Sequence, residues 1–538
     1  MSVRRTLARN TAFNALGRLW EALAGIVLTA YIVERLGIGP FGLWSLVAAF
    51  TGYAALLDFG VSSAFTKYIA QHAAHGDAKA VSAVVSTGAA FYAALGILIV
   101  ALGWPLVDLL IAGITRLLVL MHPDGTPAYE NARTIGDVRF LFRGSLILFA
   151  ITNCIAPFSA LQSGLQRMGI TNVLSFGASL LKFAATIGFV ECGYGVRGLL
   201  YANAVVLAAF ALACVAVAYR IFPGLRLGTR QVKRSTLSVL MSFGWRMQVA
   251  KLSNLINFQT DRAIVGLVFG NFALVGLYRL GEELAGKMRQ LPALVVSALI
   301  PAVSDLDARN QQEQLSRLYL LSTKYIAAVT IPLAGYFAAS ADLLMRAWFG
   351  DTEGLEAAAW VMRIIAAGYA ANLLPGPGVS IALGKGRAGL PMTAGIISMA
   401  CNIAFTIALV MAVGFYGVPV ATALAFLVST VWFFRAMRQT VDVPLRRLLW
   451  TSVAWPALAS VPGFAACLAT GWLMADYAGR LPNLVAAAGC AACFGLTYIA
   501  VGRMTPFLDT FDVDFLEHTL HLGRLPGFEL LTRRARHA

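Results

Sequence analysis

The sequence predicts an all-α polytopic membrane protein with about 14 transmembrane helices. Hydrophobic residues make up 59% of the 538 residues and charged residues only 13%, whereas soluble domains contain about 25% charged residues. Apolar stretches that can cross a hydrocarbon layer of about 30 Å recur along the whole chain. The predicted spans are 12–33, 41–64, 81–103, 139–162, 170–190, 196–219, 240–267, 273–300, 318–340, 361–383, 390–411, 415–434, 448–474 and 483–502.

The distribution of basic residues predicts the orientation. The formal net charge is +16, which in a soluble chain would suggest a nucleic-acid partner. With both ends and alternate loops placed in the cytoplasm, the short loops hold 25 Lys and Arg residues inside against 7 outside. Such a positive-inside bias places both termini in the cytoplasm. We therefore expect a multi-pass protein of the bacterial cytoplasmic (inner) membrane, without a nucleic-acid partner.

A weak internal repeat divides the chain into two halves. Gly42–Leu46 and Gly276–Leu280 share the pattern G-L-aromatic-x-L, and each follows the first span of its half. Because six spans separate equivalent points, the repeat would be parallel, about an axis along the membrane normal. The predicted organisation is an N-terminal six-helix lobe (1–222), a basic cytoplasmic linker (223–239), a C-terminal six-helix lobe (240–440), two additional transmembrane helices (441–503) and a cytoplasmic amphipathic and basic tail (504–538).

Polar side chains recur at helical spacing inside four of the predicted spans: the first, fifth, seventh and eighth. Ten bases and five acids lie at membrane depth or its margins, and each would cost roughly 3 kcal/mol if it faced lipid at the bilayer centre. We therefore predict a central cationic cavity between the two lobes. Its predicted lining is Arg18, Glu21, Asp58, Lys182, Arg246, Lys251, Asn257, Asp261, Arg279, Glu283 and Lys287.

The same charges allow a second interpretation, in which they brace the helix bundle. Three pairs lie three or four residues apart and can neutralise each other: Arg18–Glu21, Arg279–Glu283 and Glu283–Lys287. Bases near span ends can extend to the interface, which explains Arg139, Arg143 and Arg289. Asp58 either pairs with a base on another helix or carries a coupling proton. Bracing does not explain the excess of bases over acids, whereas an anionic passenger does.

A break is predicted within the tenth span, where "NLLPGPGVS" (Asn372–Ser380) interrupts the apolar run. Irregular backbone at membrane depth is tolerated only against protein or water. The candidate hinge residues are Pro375, Gly376, Pro377 and Gly378. A kink that only packs is the alternative.

The sequence offers little for catalysis. All six histidines lie in predicted loops or the tail, no Walker sequence is present, and no predicted outside loop is long enough for a transferase domain. Cys490 and Cys493 have C-x-x-C spacing without a further ligand at hand, so packing of small residues explains them. We predict no enzymatic activity, no cofactor and no metal site. H+ and Na+ both remain open as a coupling ion.

Several motifs resemble those of a known family. They are the early Asn and Arg, "LGIGPFGLWSL", "LLDFG", "HGD", "NFQTDRAIVGLVFGNFALVGLYRLGEEL" and "LLMRAWFG". Over roughly 1–440 the chain resembles the Wzx-type polysaccharide flippases of the multidrug/oligosaccharidyl-lipid/polysaccharide superfamily. The resemblance implies two six-helix lobes around a central cavity. It also implies transport of a lipid-linked oligosaccharide from the inner to the outer leaflet, for surface polysaccharides such as O-antigen or exopolysaccharide.

The resemblance further implies that basic cavity residues accept the phosphate or pyrophosphate of the lipid carrier. By position, the residues that match this role are Arg18, Lys182, Arg246, Lys251 and Arg279. The expected partners are the lipid-linked oligosaccharide, membrane lipids, and the polymerase and glycosyltransferases of the same pathway. The alternatives are a peptidoglycan-precursor (lipid II) flippase, a multidrug exporter, which would need an acidic cavity, a membrane glycosyltransferase or ligase, and a membrane scaffold.

Overall fold

The computed structural model describes most of the chain. The described residues are 20, 23–54, 61–121, 132–290, 292, 299 and 303–505. At 54, 61–63, 117–121, 132–133, 168, 243–254 and 256–257 the structure describes the backbone only. The predicted basic tail (504–538) therefore falls almost wholly outside the described residues.

By internal packing the chain forms two compact units, Met1–Gly276 and Leu277–Ala538. In the first unit, apolar helices follow one another with short connections. They are α1 (23–36), α2 (Ile38–Ala54), α3 (Val61–Ala74), α4 (Ala78–Met121), α5 (Ala132–Gly164), α6 (Met168–Glu191), α7 (Gly195–Ile221) and α8 (Arg234–Phe269). The boundary between the units falls within α9 (Phe272–Lys287).

The core of the first unit lies where α3, α4, α5 and α7 meet. Phe65, Tyr92 and Leu161 are fully buried there, and the Phe65 and Tyr92 rings meet edge to face with their centroids 5.8 Å apart. Leu240 on α8 belongs to the same cluster, and α8 packs against α2, α3 and α4. The division into sequence-order lobes, which assigns α8 to the second lobe, stays a prediction.

The segment that joins α7 to α8 is shorter than the predicted linker and is held against α4. Residues 234–239 already belong to α8. Ser82 accepts a hydrogen bond from the Arg226 backbone N–H (3.1 Å), and Thr87 accepts one from the Lys233 backbone N–H (3.1 Å). Leu225 is buried at the same place. The basic residues of this segment therefore stand on a fixed backbone beside the start of α4.

The second unit continues with helices of 5 to 28 residues. They are α10 (Gln312–Ala339), α11 (Ala341–Phe349), α12 (Leu355–Leu373), α13 (Gly376–Gly384), α14 (Gly389–Val413), α15 (Gly417–Met437), α16 (Leu445–Leu449), α17 (Trp455–Leu473) and α18 (Arg480–Met504). A π-helical turn, Trp450–Ala454, joins α16 to α17. Two buried clusters hold this unit together, one around Tyr319 and Phe433 and one around Cys467 and Phe494.

The all-α membrane fold is confirmed for the described residues, which contain no strand. Nine stretches of the described chain are long and apolar enough to cross a membrane, and three of them hold two helices each, namely Leu355–Gly384, Gly389–Met437 and Leu445–Leu473. Neither α8 nor α9 is among the nine, and these are two of the helices with predicted polar stripes. The count of fourteen spans stays a prediction.

Candidate functional site

A cavity of about 580 Å³ opens within the first unit, and Lys182 lines it. Its volume is within the range of about 300–1,000 Å³ that is usual for ligand sites. Four helices contribute, namely α2, α5, α6 and α7. The lining residues are Trp44, Val47, Ala48, Thr51, Gly52, Ser145, Leu148, Phe149, Thr152, Ala178, Lys182, Asn203, Val206, Leu207 and Phe210. Lys182 is the one charged residue among these described lining residues.

The other polar groups of this cavity are partly engaged with their own helices. Thr51 and Thr152 each donate their hydroxyl to the backbone carbonyl four residues earlier, at 2.8 Å in both cases. Asn203 donates its amide to the Leu199 carbonyl at 3.0 Å. Their oxygens can still accept, but an anion needs donors, and among the described lining residues Lys182 carries the charged donor.

Two residues of the predicted polar stripe of the fifth span, both on α6, have different surroundings. Ser179 accepts a hydrogen bond from the indole N–H of Trp20 (3.2 Å). The Trp20 ring also lies against Phe176 and Phe183, with centroids 5.9 and 6.4 Å away. Lys182, almost one turn further on, is exposed and lines the cavity. Lys182 thus lines a cavity of the first unit, and its predicted role in a central cavity between the lobes stays a prediction.

On α9 the predicted cavity charges form a chain of ion pairs. Arg279 lies 3.3 Å from Glu282 and 3.5 Å from Glu283, and Lys287 lies 3.8 Å from Glu283. Two bases and two acids thus compensate each other along one face of the helix. These pairs fit the bracing interpretation, and the cavity role of Arg279, Glu283 and Lys287 stays a prediction. Glu282 was not among the predicted lining residues.

Asp261 lies in a polar contact between α2 and α8. It is only 5% exposed, and its neighbour Arg262 is equally buried. Beside them Tyr53 and Thr260 share a hydrogen bond of 2.5 Å, and Arg262 donates to the Phe258 carbonyl at 3.2 Å. Asp261 is absent from the lining of the 580 Å³ cavity, and its predicted role in a cavity between the lobes stays a prediction.

The remaining predicted lining residues fall outside what the structure describes. Arg18, Glu21 and Asp58 lie outside the described residues. Arg246, Lys251 and Asn257 lie on α8, and their side chains are outside the description. Their roles stay predictions.

The predicted break in the tenth span is present between α12 and α13. Both Leu374 and Pro375 keep right-handed helical dihedrals, so the chain kinks without unwinding. Gly378 is packed tightly, because a Cβ there would lie 2.8 Å from Phe433 Cε1 and 3.2 Å from Tyr319 Cε2. The geometry fits a packed kink, and hinge motion stays a prediction.

Sequence reasoning missed the carboxylate that holds Arg139 and Arg143. Asp108 on α4 lies 2.8 Å from Arg139 Nε and 2.5 Å from Arg143 Nη2. Arg289, the third base expected near a span end, stacks over the Tyr369 ring at 5.0 Å. The signal for Asp108 was in the sequence, since a lone acid inside the apolar run "LVDLL" requires a basic partner.

The described residues form an all-helical membrane fold, and its first unit holds a cavity that Lys182 lines, which is the architecture of a polytopic membrane transporter. The chain belongs to the polysaccharide biosynthesis protein family, whose sequence profile matches residues 7–307, more than half of its length. The profile of the lipid II flippase MurJ matches residues 291–481. The resemblance found in the sequence is thereby confirmed.

Curated relatives and solved structures agree with this assignment. A putative O-antigen transporter of Shigella flexneri is 20% identical over 69% of this chain and 82% of its own length. A probable flippase, AglR of Haloferax volcanii, is 21% identical over 81% of this chain and 84% of its own length.

Among solved structures, an inward-facing multidrug transporter of the MATE family has a TM-score of 0.62 at 16% identity, over 78% of this chain and 94% of that one. The lipid II flippase MurJ in an inward closed conformation has a TM-score of 0.61 at 14% identity, over 92% of this chain and 98% of that one. At these identities, the likeness concerns the fold.

Proposed function

We propose that the protein is a flippase, without enzymatic activity, that moves a lipid-linked, phosphate- or pyrophosphate-bearing oligosaccharide from the inner to the outer leaflet. Family membership and the flippase and transporter names of the relatives support the class. The observation that carries the proposal in this chain is Lys182 in a cavity of about 580 Å³. The product would serve the synthesis of a cell-surface polysaccharide.

The cavity suits the charged end of such a substrate. The ammonium group of Lys182 binds a phosphate oxygen with a charge-assisted hydrogen bond, which is stronger than a neutral one. Trp44, Phe149 and Phe210 offer apolar faces beside it, and Thr51 and Asn203 offer acceptors for hydroxyl groups. One charged donor, several aromatic faces and several acceptors together match a phosphate attached to a sugar.

Orientation, coupling and partners belong to the same proposal. The 25 to 7 division of short-loop bases supports cytoplasmic termini in a bacterial inner membrane. Transport would proceed by alternating access, with H+ or Na+ as candidate coupling ions. No group of three or more His, Cys, Asp or Glu side chains that could hold a metal occurs among the described residues. The polymerase and glycosyltransferases of the pathway are the proposed protein partners.

A lipid II flippase is the second candidate, and a specific observation favours it. The MurJ profile matches residues 291–481, and the solved MurJ structure covers 92% of this chain. Because the polysaccharide profile covers the longer stretch, 7–307, we place the polysaccharide substrate first. A drug exporter fits less well, since a cationic drug would be repelled by Lys182.

The test is performed in cells that lack the gene. We expect loss of surface polysaccharide and accumulation of its lipid-linked precursor. The wild-type chain should return both to their normal levels. Lys182→Gln should leave surface polysaccharide low and precursor high although the protein is present at normal abundance. Lys182→Arg should return both levels part of the way to normal. Lys79→Gln, a change at an exposed position at the start of α4, is the matched control.

Normal surface polysaccharide in the deletion strain would contradict the proposal. Rescue of cells that lack their lipid II flippase would favour the second candidate instead.

A further inference from the structure

We propose that the first unit carries a second anion site, on its membrane-facing surface, for the phosphate group of an anionic lipid. The site consists of Arg139 and Arg143 on α5 with Trp104 and Asp108 on α4. It lies apart from the 580 Å³ cavity, whose lining includes none of these residues. The proposal does not depend on the transported substrate.

Two guanidinium groups share one carboxylate at this site. Asp108 Oδ1 lies 2.8 Å from Arg139 Nε, and Asp108 Oδ2 lies 2.5 Å from Arg143 Nη2. The cluster therefore keeps a net charge of +1. The Arg139 and Asp108 side chains are 47% and 42% exposed, so the surplus charge is accessible from outside the protein.

Donors remain for a ligand after these contacts are counted. A guanidinium has five N–H groups in a fixed fork that suits phosphate. Arg143 uses Nη2 for Asp108 and for the Trp104 carbonyl (3.4 Å), and its guanidinium stacks on the Trp104 ring at 4.6 Å. Arg139 contacts Asp108 through Nε, and its side chain is 47% exposed. The stacking holds Arg143 in place, while Arg139 can reach a bound oxygen.

Apolar side chains continue from this cluster along both helices. On α5, Ile147 and Ile151 follow Arg143 at intervals of four residues, and both are exposed. On the antiparallel α4, Leu102 and Leu98 lie in the same direction from Asp108 and are also exposed. Four helical residues rise by about 6 Å, so the apolar surface extends over more than 10 Å from the charged end. This is the arrangement that a headgroup with a hydrocarbon chain requires.

The exposed leucine and isoleucine side chains favour a lipid over a soluble phosphate. A soluble phosphate would gain the charged contacts only, whereas a lipid also covers the apolar stripe. Two sources share this chemistry, the phospholipids of the bilayer and isoprenoid phosphate carriers. A neighbouring pair on the same unit, Arg197 with Asp137 at 2.6 Å, is neutral and provides a matched control.

The test measures lipid binding to the purified full-length protein in detergent by native mass spectrometry. The probes are phosphatidylglycerol, a polyisoprenyl phosphate, uncharged diacylglycerol and inorganic phosphate. We expect at least one of the two anionic lipids to bind. The double variant R139Q/R143Q should bind it more weakly by roughly tenfold or more, as the loss of charge-assisted contacts implies. Arg197→Gln should change it less than about twofold.

The sign of the Asp108→Asn effect distinguishes the site from a brace. Removal of the acid raises the net charge of the cluster, so affinity for the anionic lipid should rise by roughly two- to fivefold, the size of an exposed charge interaction. The triple neutral variant D108N/R139Q/R143Q keeps the helices free of an unpaired acid and should still fail to bind. Selectivity for the isoprenyl phosphate over phosphatidylglycerol would identify a carrier site, and equal binding a site for bilayer lipid.

Three results would overturn the proposal. The first is diacylglycerol binding with the same affinity as the anionic lipids. The second is inorganic phosphate competing with the same affinity as the lipids. The third is wild-type affinity in the triple neutral variant.

Discussion

Gly42 on α2 and Gly276 on α9 pack directly against each other, since a Cβ on Gly276 would lie 3.4 Å from Gly42 Cα. The two glycines begin the two copies of the G-L-aromatic-x-L motif. The contact extends to the backbone, because a Cβ on Gly42 would lie 1.7 Å from the Phe272 carbonyl oxygen and one on Gly276 would lie 2.6 Å from the Ile38 oxygen. Only residues without a side chain allow these helices to approach so closely.

Substitution of Gly42 by Ala should therefore destabilise the protein. The added methyl meets a main-chain oxygen that can move only with its helix, and overpacking of this kind costs about 1–3 kcal/mol. We expect a lower melting temperature for purified Gly42→Ala. Gly188→Ala on α6, where a Cβ meets nothing within 4 Å, should keep or raise it. Equal melting temperatures in the two variants would disprove the close contact.

The charge chain on α9 predicts a specific rescue. Arg279→Gln removes the guanidinium that lies 3.3 Å from Glu282 and 3.5 Å from Glu283, so we expect a loss of stability of about 1–3 kcal/mol from the lost charge-assisted contacts. Adding Glu282→Gln leaves the Glu283–Lys287 pair balanced and should recover most of the loss. The measurement is thermal stability together with membrane abundance. A single Arg279→Gln variant as stable as wild type would contradict the bracing role.

The kink at Pro375 can be separated from its packing. Gly378→Ala should lower stability because of its contacts with Phe433 and Tyr319, and Phe433→Leu in the same chain should restore the space. If Gly378 also serves as a hinge, transport should remain slow in the double variant although its melting temperature recovers. Recovery of transport together with stability would show that Gly378 serves packing and not hinge motion.

A natural cysteine tests the orientation. Cys192, exposed in the connection between α6 and α7, is predicted to face the outside. In intact cells an impermeant maleimide should label it, and Cys192→Ser should remove the label. A cysteine placed at exposed Arg230 should react only after permeabilisation. The opposite pattern would reverse the proposed direction of the whole chain.

Composition and hydropathy were enough to predict the helical membrane fold, and several span boundaries lie within a few residues of the helices. The 44-residue α4 exceeded its predicted span (81–103) because the residues that follow are also largely apolar and continue the helix through Pro105. The short helix α11 was missed since it is too brief for a hydropathy signal. A span predicted over 361–383 is two helices, as its prolines had indicated.

The candidate site was predictable only in part. Lys182 stood out because a base in a membrane helix requires water, a partner or a ligand. Pairing along one helix, as between Arg279 and Glu283, could be anticipated from spacing. Pairing between helices could not, because the register of α4 against α5, which brings Asp108 to Arg143, depends on packing that the sequence does not state.

Reconstituted transport tests the central claim most directly. The purified protein is placed in liposomes that contain a lipid-linked oligosaccharide, and the glycan that reaches the opposite leaflet is measured over time with an impermeant enzyme. We predict translocation by the wild-type chain, unchanged rates for Lys79→Gln, and rates for Lys182→Gln lower by roughly tenfold or more, as the loss of one charge-assisted contact implies. Wild-type rates equal to those of protein-free liposomes would contradict the account, and so would an unaffected Lys182→Gln variant.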